Sequence, residues 1–289
     1  MTYRTIEPYQ TIEVAPVAGA LGAEVAGVDL TGDLSDETIA EIRAAWLEHL
    51  VLFFRGQERL GPDAFMAFAR RIGEPVEYPF VKGLEGYPEI IAIAKLPHET
   101  VNFGGIWHSD TVYLERPPMG TLLIAREVPP FGGDTMWANM YAAYEALSPG
   151  MQRLLDGMRA VNSSELADVS KTREDRIADS GYDAGPDAKQ AYVSEHPVVR
   201  THPETGRKAL YVNVAHTERF VDMTTEESRP ILEYLFAHSV KPEFTCRLRW
   251  QVGTLAMWDN RCAMHNPIND YHGHRRVMNR ITLAGDVPS

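Results

Sequence analysis

Cysteine is nearly absent from this chain of 289 residues, which contains only Cys246 and Cys262. Two cysteines in a chain of this length do not make a disulfide framework. Both lie in apolar segments, so we expect buried free thiols of the kind found in a reducing cytoplasm. Long apolar runs are also missing, and residues 1–16 lack the apolar core of a signal peptide. The sequence therefore predicts a cytoplasmic protein without a membrane-spanning segment.

Runs of lysine and arginine are missing too, and the formal net charge is −12. Proteins that bind nucleic acid usually carry a basic face, of which this composition gives no sign. The simplest interpretation of the acidity is solubility. An anionic ligand would then depend on arginines placed at its own site. We expect a small-molecule ligand, with neither nucleic acid nor a membrane as a partner.

The composition is that of an ordinary globular protein, with 44% hydrophobic and 24% charged residues and no internal repeat. Near the N-terminus a helix is predicted over 35–50, with Ser35 as its N-cap. A short buried strand is predicted at Val51–Phe54. It is followed by a helix at Pro62–Ile72 that begins on proline and stops at Gly73. Helices are thus predicted on both sides of one early strand.

The remainder of the chain is dominated by short β-rich segments separated by turn residues. Strands are predicted at 121–125, 135–138, 209–214, 244–250, 254–258 and 278–283. Helices are predicted at 141–158, where Ser148-Pro149 restarts the helix, and at 225–238. The second of these begins with a capping box formed by Thr224 and Glu227. Many short strands with few helices predict an α+β, mainly β fold, built as one sandwich or barrel.

The segment 164–195 differs from the rest of the chain. It is rich in charged residues, serine, aspartate and glycine, and it has little hydrophobic periodicity. Such a segment is too long for an ordinary connection between two elements. Two interpretations remain open, a lid over a functional site and a disordered excursion.

A metal site is indicated by His108, Asp110 and His265. On an extended segment, residues two apart point to the same side, so His108 and Asp110 can reach one ion. His265 follows the stretch 258–264, where a strand is expected to run into a loop that ends on this histidine. Two histidines and one carboxylate form the facial triad of non-haem iron oxygenases. The opposite face of such an ion stays open for a chelating co-substrate and O₂.

Three arginines follow His265 within fifteen residues, namely Arg275, Arg276 and Arg280. Arg276 and Arg280 are four apart on a strand-like segment, so we expect them to face the same, inward side. A buried guanidinium group needs an anion, and its planar fork suits a carboxylate or a sulfonate. The alternative is that these arginines form structural ion pairs with Asp259 or Asp270.

Together these residues resemble the TauD/TfdA family, which contains the taurine-type and aryloxyalkanoate-type dioxygenases. The resemblance extends over nearly the whole chain, and several motifs occur in the family's order. They are Gly22-Ala23-Glu24-Val25, Trp107-His108-Ser109-Asp110-Thr111, Gly132-Gly133-Asp134-Thr135, His202-Pro203, Tyr211-Val212-Asn213, Trp258-Asp259-Asn260, His265 and Arg276-Val277-Met278-Asn279-Arg280.

The resemblance implies a double-stranded β-helix, or jelly roll, with peripheral helices. It also implies a single oxygenase domain over 1–289, with a lid insertion at 164–195, and a homodimer or homotetramer. The iron ligands, which are the catalytic residues, would be His108, Asp110 and His265. Thr135 and Arg276 would hold the distal carboxylate of 2-oxoglutarate, and Arg280 would hold the substrate anion.

The implied activity is that of an Fe(II)- and 2-oxoglutarate-dependent dioxygenase that uses O₂ to hydroxylate its substrate, with succinate and CO₂ as co-products. Related halogenases replace the carboxylate ligand with a small residue, so the presence of Asp110 favours hydroxylation. Two alternatives remain, a Zn(II)-dependent hydrolase and a non-catalytic jelly-roll binding protein.

The family pattern breaks in the loop 74–81. Taurine-type enzymes place a histidine and a tyrosine in this loop, where the present chain has Tyr78 and Val81. Near the first iron ligand, Gly104 or Gly105 stands where the taurine-type pattern has asparagine. With Phe80 next to Tyr78, the predicted substrate pocket is less polar than one for taurine. We expect a small anion with an apolar body, such as an alkyl sulfonate, an alkyl sulfate or an aryloxyalkanoate. Alternatively, Tyr78 and Phe80 serve only packing.

Overall fold

The computed structural model describes residues 9–102, 104–166 and 191–289. This part of the chain forms five α-helices and sixteen β-strands. The helices are α1 (Asp36–His49), α2 (Pro62–Ile72), α3 (Met140–Glu145), α4 (Pro149–Leu155) and α5 (Thr225–Ser239). The strands are β1 (Glu13–Pro16), β2 (Ala23–Ala26), β3 (Val51–Phe54), β4 (Pro75–Val76), β5 (Ile90–Lys95), β6 (Gly120–Glu127), β7 (Thr135–Asn139), β8 (Arg159–Ser163), β9 (Val193–Pro197), β10 (Val199–Thr201), β11 (Lys208–Leu210), β12 (Thr217–Phe220), β13 (Thr245–Leu248), β14 (Leu255–Asp259), β15 (Ala263–Pro267) and β16 (Arg276–Leu283).

The largest sheet has eight strands in the order β1-β2-β3-β14-β6-β16-β4, with β5 also paired to β16. Its neighbouring strands are antiparallel except for the parallel pair β2 and β3. A second sheet has the order β13-β7-β15. Smaller sheets, β12-β8-β9 and β10-β11, complete the described strands. The predicted mainly β architecture is thus confirmed.

Strand β3 shows how the core is divided. Its side chains point alternately to the two faces of the large sheet. Leu52 and Phe54 pack in the cluster under α1 and α2. Val51 and Phe53 pack in the cluster that contacts the second sheet, where the rings of Phe53 and Trp137 lie 5.3 Å apart. The large sheet is therefore buried on both faces, by helices on one side and by the second sheet on the other.

The predicted helix starts are confirmed. In α1 the Ser35 hydroxyl accepts a hydrogen bond from the amide of Thr38 at 3.1 Å. Helix α2 spans the predicted residues and has proline in its first turn. Helix α5 begins with the predicted capping box, in which the side chains of Thr224 and Glu227 bond to each other's amides. Caps depend on neighbouring residues alone, which is why the sequence predicts them well.

Two strand predictions need correction. The strand predicted at 209–214 ends at Leu210, and residues 211–214 are irregular. The loop predicted to end on His265 is shorter, because strand β15 already begins at Ala263 and places His265 at its centre. Residues 260–262 form a tight turn rather than a loop, and the chain returns at once into the second sheet.

Most of the segment 164–195 lies outside the described residues, as do residues 1–8, so the lid over 164–195 stays a prediction. Within residues 9–102, 104–166 and 191–289, none of the helices combines the length and the hydropathy that a membrane crossing needs. Cys246 and Cys262 are buried free thiols, as predicted.

Candidate metal and co-substrate site

The three predicted metal ligands lie together where the second sheet meets an irregular segment. The backbones of His108 and His265 bond to each other in both directions, at 3.0 and 2.8 Å. Asp110 Oδ1 lies 3.7 Å from Nε2 of His108 and 3.8 Å from Nε2 of His265. No two of the ligand atoms are more than 4.8 Å apart. Two imidazole nitrogens and one carboxylate oxygen at this spacing fit a facial triad for a divalent ion.

The protonation states also suit metal binding. The Nδ1 atom of His108 lies 2.7 Å from the carbonyl oxygen of Ile106 and donates to it, so Nε2 is turned to the ligand cluster. Burial lowers the pKa of both His108 and His265, which keeps the imidazoles neutral. Burial alone would raise the pKa of Asp110, but the charge of Arg280 and the hydrogen bond from Thr121 lower it below its usual range. Asp110 is therefore ionised.

A cavity beside the two histidines contains the residues predicted to hold 2-oxoglutarate. Its lining residues are Ile93, His108, Leu123, Thr135, Trp258, His265, Pro267, Arg276, Met278 and Arg280. The indole nitrogen of Trp250 donates to the hydroxyl of Thr135 at 3.0 Å, and the guanidinium of Arg276 lies 5.7 Å from the Trp250 ring. Thr135 and Arg276 are both buried, and both line the same cavity as the two histidines.

Gly133 permits this arrangement. Its φ is +69°, and a Cβ atom added there would lie 3.4 Å from Arg276 Cδ and 3.2 Å from the ring of Tyr271. A side chain at this position would be strained, and it would crowd the arginine that the cavity depends on.

The predicted orientation of the arginines agrees with the structure. Arg276 and Arg280 are 6% and 5% exposed, whereas Arg275 points outward and pairs with Glu127 at 2.7 Å. Arg280 Nη2 lies 3.0 Å from Asp110 Oδ2. Asp259 and Asp270, the alternative ion-pair partners considered for these arginines, have other contacts.

Asp259 is bound by Arg261, and Asp270 accepts a hydrogen bond from the amide of Gly133 at 2.7 Å.

The residues predicted to contact the substrate form one buried cluster. Tyr78, Phe80 and Val81 pack with Ile91 and Tyr113. The rings of Tyr78 and Phe80 are 5.5 Å apart, and the guanidinium carbon of Arg280 lies 5.2 Å from the centre of the Tyr78 ring. The cluster thus forms an apolar wall next to Arg280. This arrangement agrees with the packing interpretation as well, so the substrate contact stays a prediction.

The structure also places residues near the site that sequence reasoning missed. His216 lies edge-on to Tyr113, with ring centres 4.9 Å apart, and 6.1 Å from the ring of His108. Gly104 lies against His108, and a Cβ atom added to it would be 2.9 Å from the imidazole carbon Cε1. The asparagine of the taurine-type pattern therefore has no room at Gly104. The Gly104-Gly105 pair was the only sequence signal for this contact.

A second group with metal-ligating chemistry occurs among the described residues, formed by His202, Asp259 and Cys262. Arg261 already binds both carboxylate oxygens of Asp259, at 2.8 and 2.7 Å, and His202 Nε2 lies 3.1 Å from Oδ2. A guanidinium cation thus takes the place that an ion would need, and this group does not fit a metal site.

The family model described as taurine catabolism dioxygenase TauD, TfdA family matches residues 13–282. The chain belongs to the TauD/TfdA family. Its relatives include an alpha-ketoglutarate-dependent sulfate ester dioxygenase from Pseudomonas putida, 36% identical over 277 residues, which are 96% of this chain and 91% of the relative. An alkylsulfatase from Acinetobacter baylyi is 34% identical over 298 residues, with 99% of this chain and 89% of the relative covered.

A taurine dioxygenase structure from Burkholderia xenovorans superposes with a TM-score of 0.81 at 36% identity, covering 96% of this chain and 93% of the other.

These similarities confirm the predicted class of this TauD/TfdA protein. It is a 2-oxoglutarate-dependent dioxygenase with a jelly-roll fold, and Fe(II), 2-oxoglutarate and O₂ are its cofactor and co-substrates. The matching family model and the Pseudomonas putida relative are both named dioxygenases, and neither is named a zinc hydrolase or a non-catalytic binding protein.

Proposed function

We propose that this enzyme oxidises a small organic anion with an apolar body, and that alkyl sulfate esters are the first substrates to test. The observation that carries the proposal is a pair of buried arginines, Arg276 and Arg280, that line one cavity. One lies near Thr135 and the other beside the metal ligands. Two anions, the co-substrate and the substrate, would explain why the cavity contains two buried arginines.

The metal would be held by His108, Asp110 and His265. Their donor set suits Fe(II), and the ion when bound supplies the activation of O₂ that couples C–H oxidation to decarboxylation of 2-oxoglutarate. Thr135 and Arg276 would bind the distal carboxylate. Because the Thr135 hydroxyl accepts from Trp250, its own hydrogen can be donated to a carboxylate oxygen. Arg276 supplies a fork of donors in a buried position.

Arg280 would bind the substrate anion. It is buried, adjacent to the metal ligands and stacked over Tyr78, so the bound anion would sit close to the reacting centre. Tyr78, Phe80 and Val81 would contact the apolar body. The exclusion of water by this wall strengthens the attraction between the guanidinium and an anion.

For a sulfate ester the products follow from the position of attack. One oxygen atom of O₂ enters the C–H bond next to the ester oxygen, and the other enters succinate. The resulting carbon carries both a hydroxyl and a sulfate group. Its C–O bond to sulfate breaks, the hydroxyl loses its proton, and an aldehyde and sulfate are released. CO₂ leaves from 2-oxoglutarate in the same turnover.

We further propose that residues 1–289 form one oxygenase domain with a lid at 164–195. We also propose a cytoplasmic location and a homo-oligomeric state. The low apolar content of the segment 164–195 supports the lid. The two buried free thiols support the cytoplasmic location. Hydrogen exchange with and without a substrate analogue tests the lid, and light scattering tests the oligomer.

The function is tested by measuring O₂ uptake and succinate release with Fe(II), 2-oxoglutarate and a panel of anions. The panel contains alkyl sulfates, alkyl sulfonates, aryloxyalkanoates and, as a control, the matching uncharged alcohols. We expect turnover with at least one anionic class, release of sulfate in step with succinate if sulfate esters react, and none with the alcohols. Equal turnover of anions and alcohols would contradict the role of Arg280.

A further inference from the structure

A chain of hydrogen bonds leads away from Asp110 into the large sheet. The Thr121 hydroxyl donates to Asp110 Oδ2 at 2.6 Å, and the side-chain amide of Asn260 donates to Thr121 Oγ1 at 2.9 Å. The indole N–H of Trp258 donates to Asn260 Oδ1 at 2.9 Å. None of these four side chains is more than 3% exposed. Water therefore does not compete for these bonds.

The chain can run in only one direction. The indole N–H of Trp258 is a donor only, so it fixes the oxygen of the Asn260 amide on its own side and the NH₂ group toward Thr121. Thr121 Oγ1 accepts from that NH₂ group, so its single hydrogen points to the carboxylate. Each bond polarises the next, which strengthens the last one to Asp110.

The Asp110 side chain needs contacts that hold its orientation, because its own backbone is not fixed by sheet hydrogen bonds. It lies in a turn outside the sheets, and Thr111 next to it has a φ of +41°. Thr121 and Trp258, in contrast, are register partners on the paired strands β6 and β14. The Trp258 ring also packs against His265, with ring centres 4.8 Å apart. One strand pair thus contacts both a carboxylate ligand and an imidazole ligand.

We propose that Thr121, Asn260 and Trp258 act as a positioning relay for the metal site, holding Asp110 Oδ2 so that Oδ1 alone faces the two histidines. The inference rests on the metal site proposed above. Arg280 is the other contact of Oδ2, and the same arginine is assigned to the substrate anion. Because the relay holds Oδ2, Asp110 keeps its orientation when the guanidinium of Arg280 binds a substrate anion.

The relay predicts a specific loss of metal affinity rather than a general loss of stability. Thr121→Val removes the hydroxyl at nearly constant volume, and Thr121→Ser retains it. Thr282→Val is the matched control, because Thr282 is also buried and lies opposite Thr121 on β16. Titration with Co(II), followed by its visible ligand-field spectrum, measures affinity and ligand geometry without turnover.

We expect Thr121→Val to weaken Co(II) binding by about 10- to 100-fold and to change the spectrum. The Co(II) affinities of Thr121→Ser and Thr282→Val should lie within about two-fold of wild type, which is much less than the loss expected for Thr121→Val. The melting temperatures of the metal-free Thr121→Val and Thr282→Val variants should be similar. Wild-type affinity in Thr121→Val, or an equal loss in Thr282→Val, would overturn the relay.

A double-mutant cycle provides a second test that does not depend on one variant. Asn260 acts on the metal site through Thr121, so Asn260→Ala should weaken Co(II) binding in the wild-type background and have no further effect in Thr121→Val. Additive losses would mean two independent structural effects and would exclude a relay.

The titration also separates failure of the relay from failure of the metal site. Wild type should bind Co(II), and Asp110→Ala should not. If wild type fails to bind, or Asp110→Ala binds equally well, the proposed metal site is wrong and the relay with it. If those two behave as expected while the Thr121 and Asn260 variants match wild type, only the relay is wrong.

Discussion

Two buried aspartates, Asp110 and Asp259, have the same kind of arginine partner and different remaining contacts. Both oxygens of Asp259 are bound by the guanidinium of Arg261, Oδ1 also accepts from the Arg261 amide, and His202 contacts Oδ2. Asp110 has one oxygen bound by Thr121 and Arg280, while its other oxygen faces two neutral imidazoles at 3.7 and 3.8 Å. We call the Asp259–Arg261 pair closed, because both carboxylate oxygens accept from donors. We call the Asp110–Arg280 pair open, because one carboxylate oxygen faces only the two imidazoles.

The difference shows how a structural ion pair can be told from a binding site. In the closed pair every strong acceptor has its donors, so the carboxylate can take no further ligand. In the open pair the anchored oxygen fixes the carboxylate and the second oxygen keeps its lone pairs for an ion. The burial of the two aspartates, 3% and 1% exposed, does not distinguish them. The direction of their contacts does.

The largest expected contrast is between the two aspartate-to-alanine variants. Asp110→Ala should abolish succinate formation even though the protein still folds, since it removes one of three proposed metal ligands. Asp259→Ala should lower the free energy of unfolding by about 3–5 kcal/mol, because it leaves Arg261 buried without its charge partner. Succinate assays measure the turnover of both variants, and urea unfolding measures their free energies of unfolding. Normal turnover by Asp110→Ala, or full stability of Asp259→Ala, would contradict the distinction.

The next contrast concerns the arginines. Arg276→Ala should weaken 2-oxoglutarate binding by about 2–5 kcal/mol, since a buried carboxylate loses its partner. The outward-facing Arg275→Ala is the matched control, and it should bind 2-oxoglutarate as wild type does. Anaerobic titration of the Fe(II) enzyme with 2-oxoglutarate, followed by its charge-transfer absorbance, gives both affinities. An unchanged midpoint in Arg276→Ala would assign the co-substrate to another arginine.

A smaller effect is expected for Arg280. Arg280→Ala should raise the KM for an anionic substrate by about 10- to 100-fold, the loss of one charged hydrogen-bonding partner at about 1.5–3 kcal/mol. The affinity for 2-oxoglutarate should change much less. Arg261→Ala, from the closed pair, should instead reduce stability. Steady-state kinetics with each anion of the panel measures the first effect, and a KM equal to wild type would remove Arg280 from the substrate site.

The smallest effect is a dependence of stability on pH at the closed pair. Arg261 and His202 hold the pKa of Asp259 below its usual range, despite the opposing effect of burial. Its contribution is therefore complete above the unfolded-state pKa of about 3.9, and it is lost as the pH falls through the folded-state pKa. Urea unfolding should show a stability gap between wild type and Asp259→Asn that is constant above about pH 5 and narrows below pH 4. A constant gap down to pH 3 would contradict the shifted pKa.

The sequence predicts best those features that depend on near neighbours. The caps at Ser35 and Thr224 and the limits of α2 depend on a few adjacent residues, and they agree with the structure. The inward direction of Arg276 and Arg280 follows from the two-residue period of a strand. The proposed metal ligands are predicted from a motif whose chemistry restricts which residue types can serve, and the structure brings these three side chains together.

Features that depend on distant residues could not be predicted in this way. The hydrogen bond between Asn260 and Thr121 joins positions 139 apart, and either residue alone is an ordinary polar side chain. His216 approaches His108 only because a separate small sheet folds against the site. The position of His265 inside β15 depends on how tightly the chain turns at 260–262, and the composition of that turn does not determine its tightness.

Strand β16 is paired along most of its length to β5 on one side and to β6 on the other. Its two inward arginines are four residues apart, so their Cα atoms are separated by about 13 Å at the usual rise of about 3.3 Å per residue. A strand bonded at both edges does not stretch, so the separation between these two proposed anion-binding arginines is fixed. In a homologous series of substrates, the oxidised carbon should be found at a constant number of bonds from the anionic group, whatever the length of the tail beyond it.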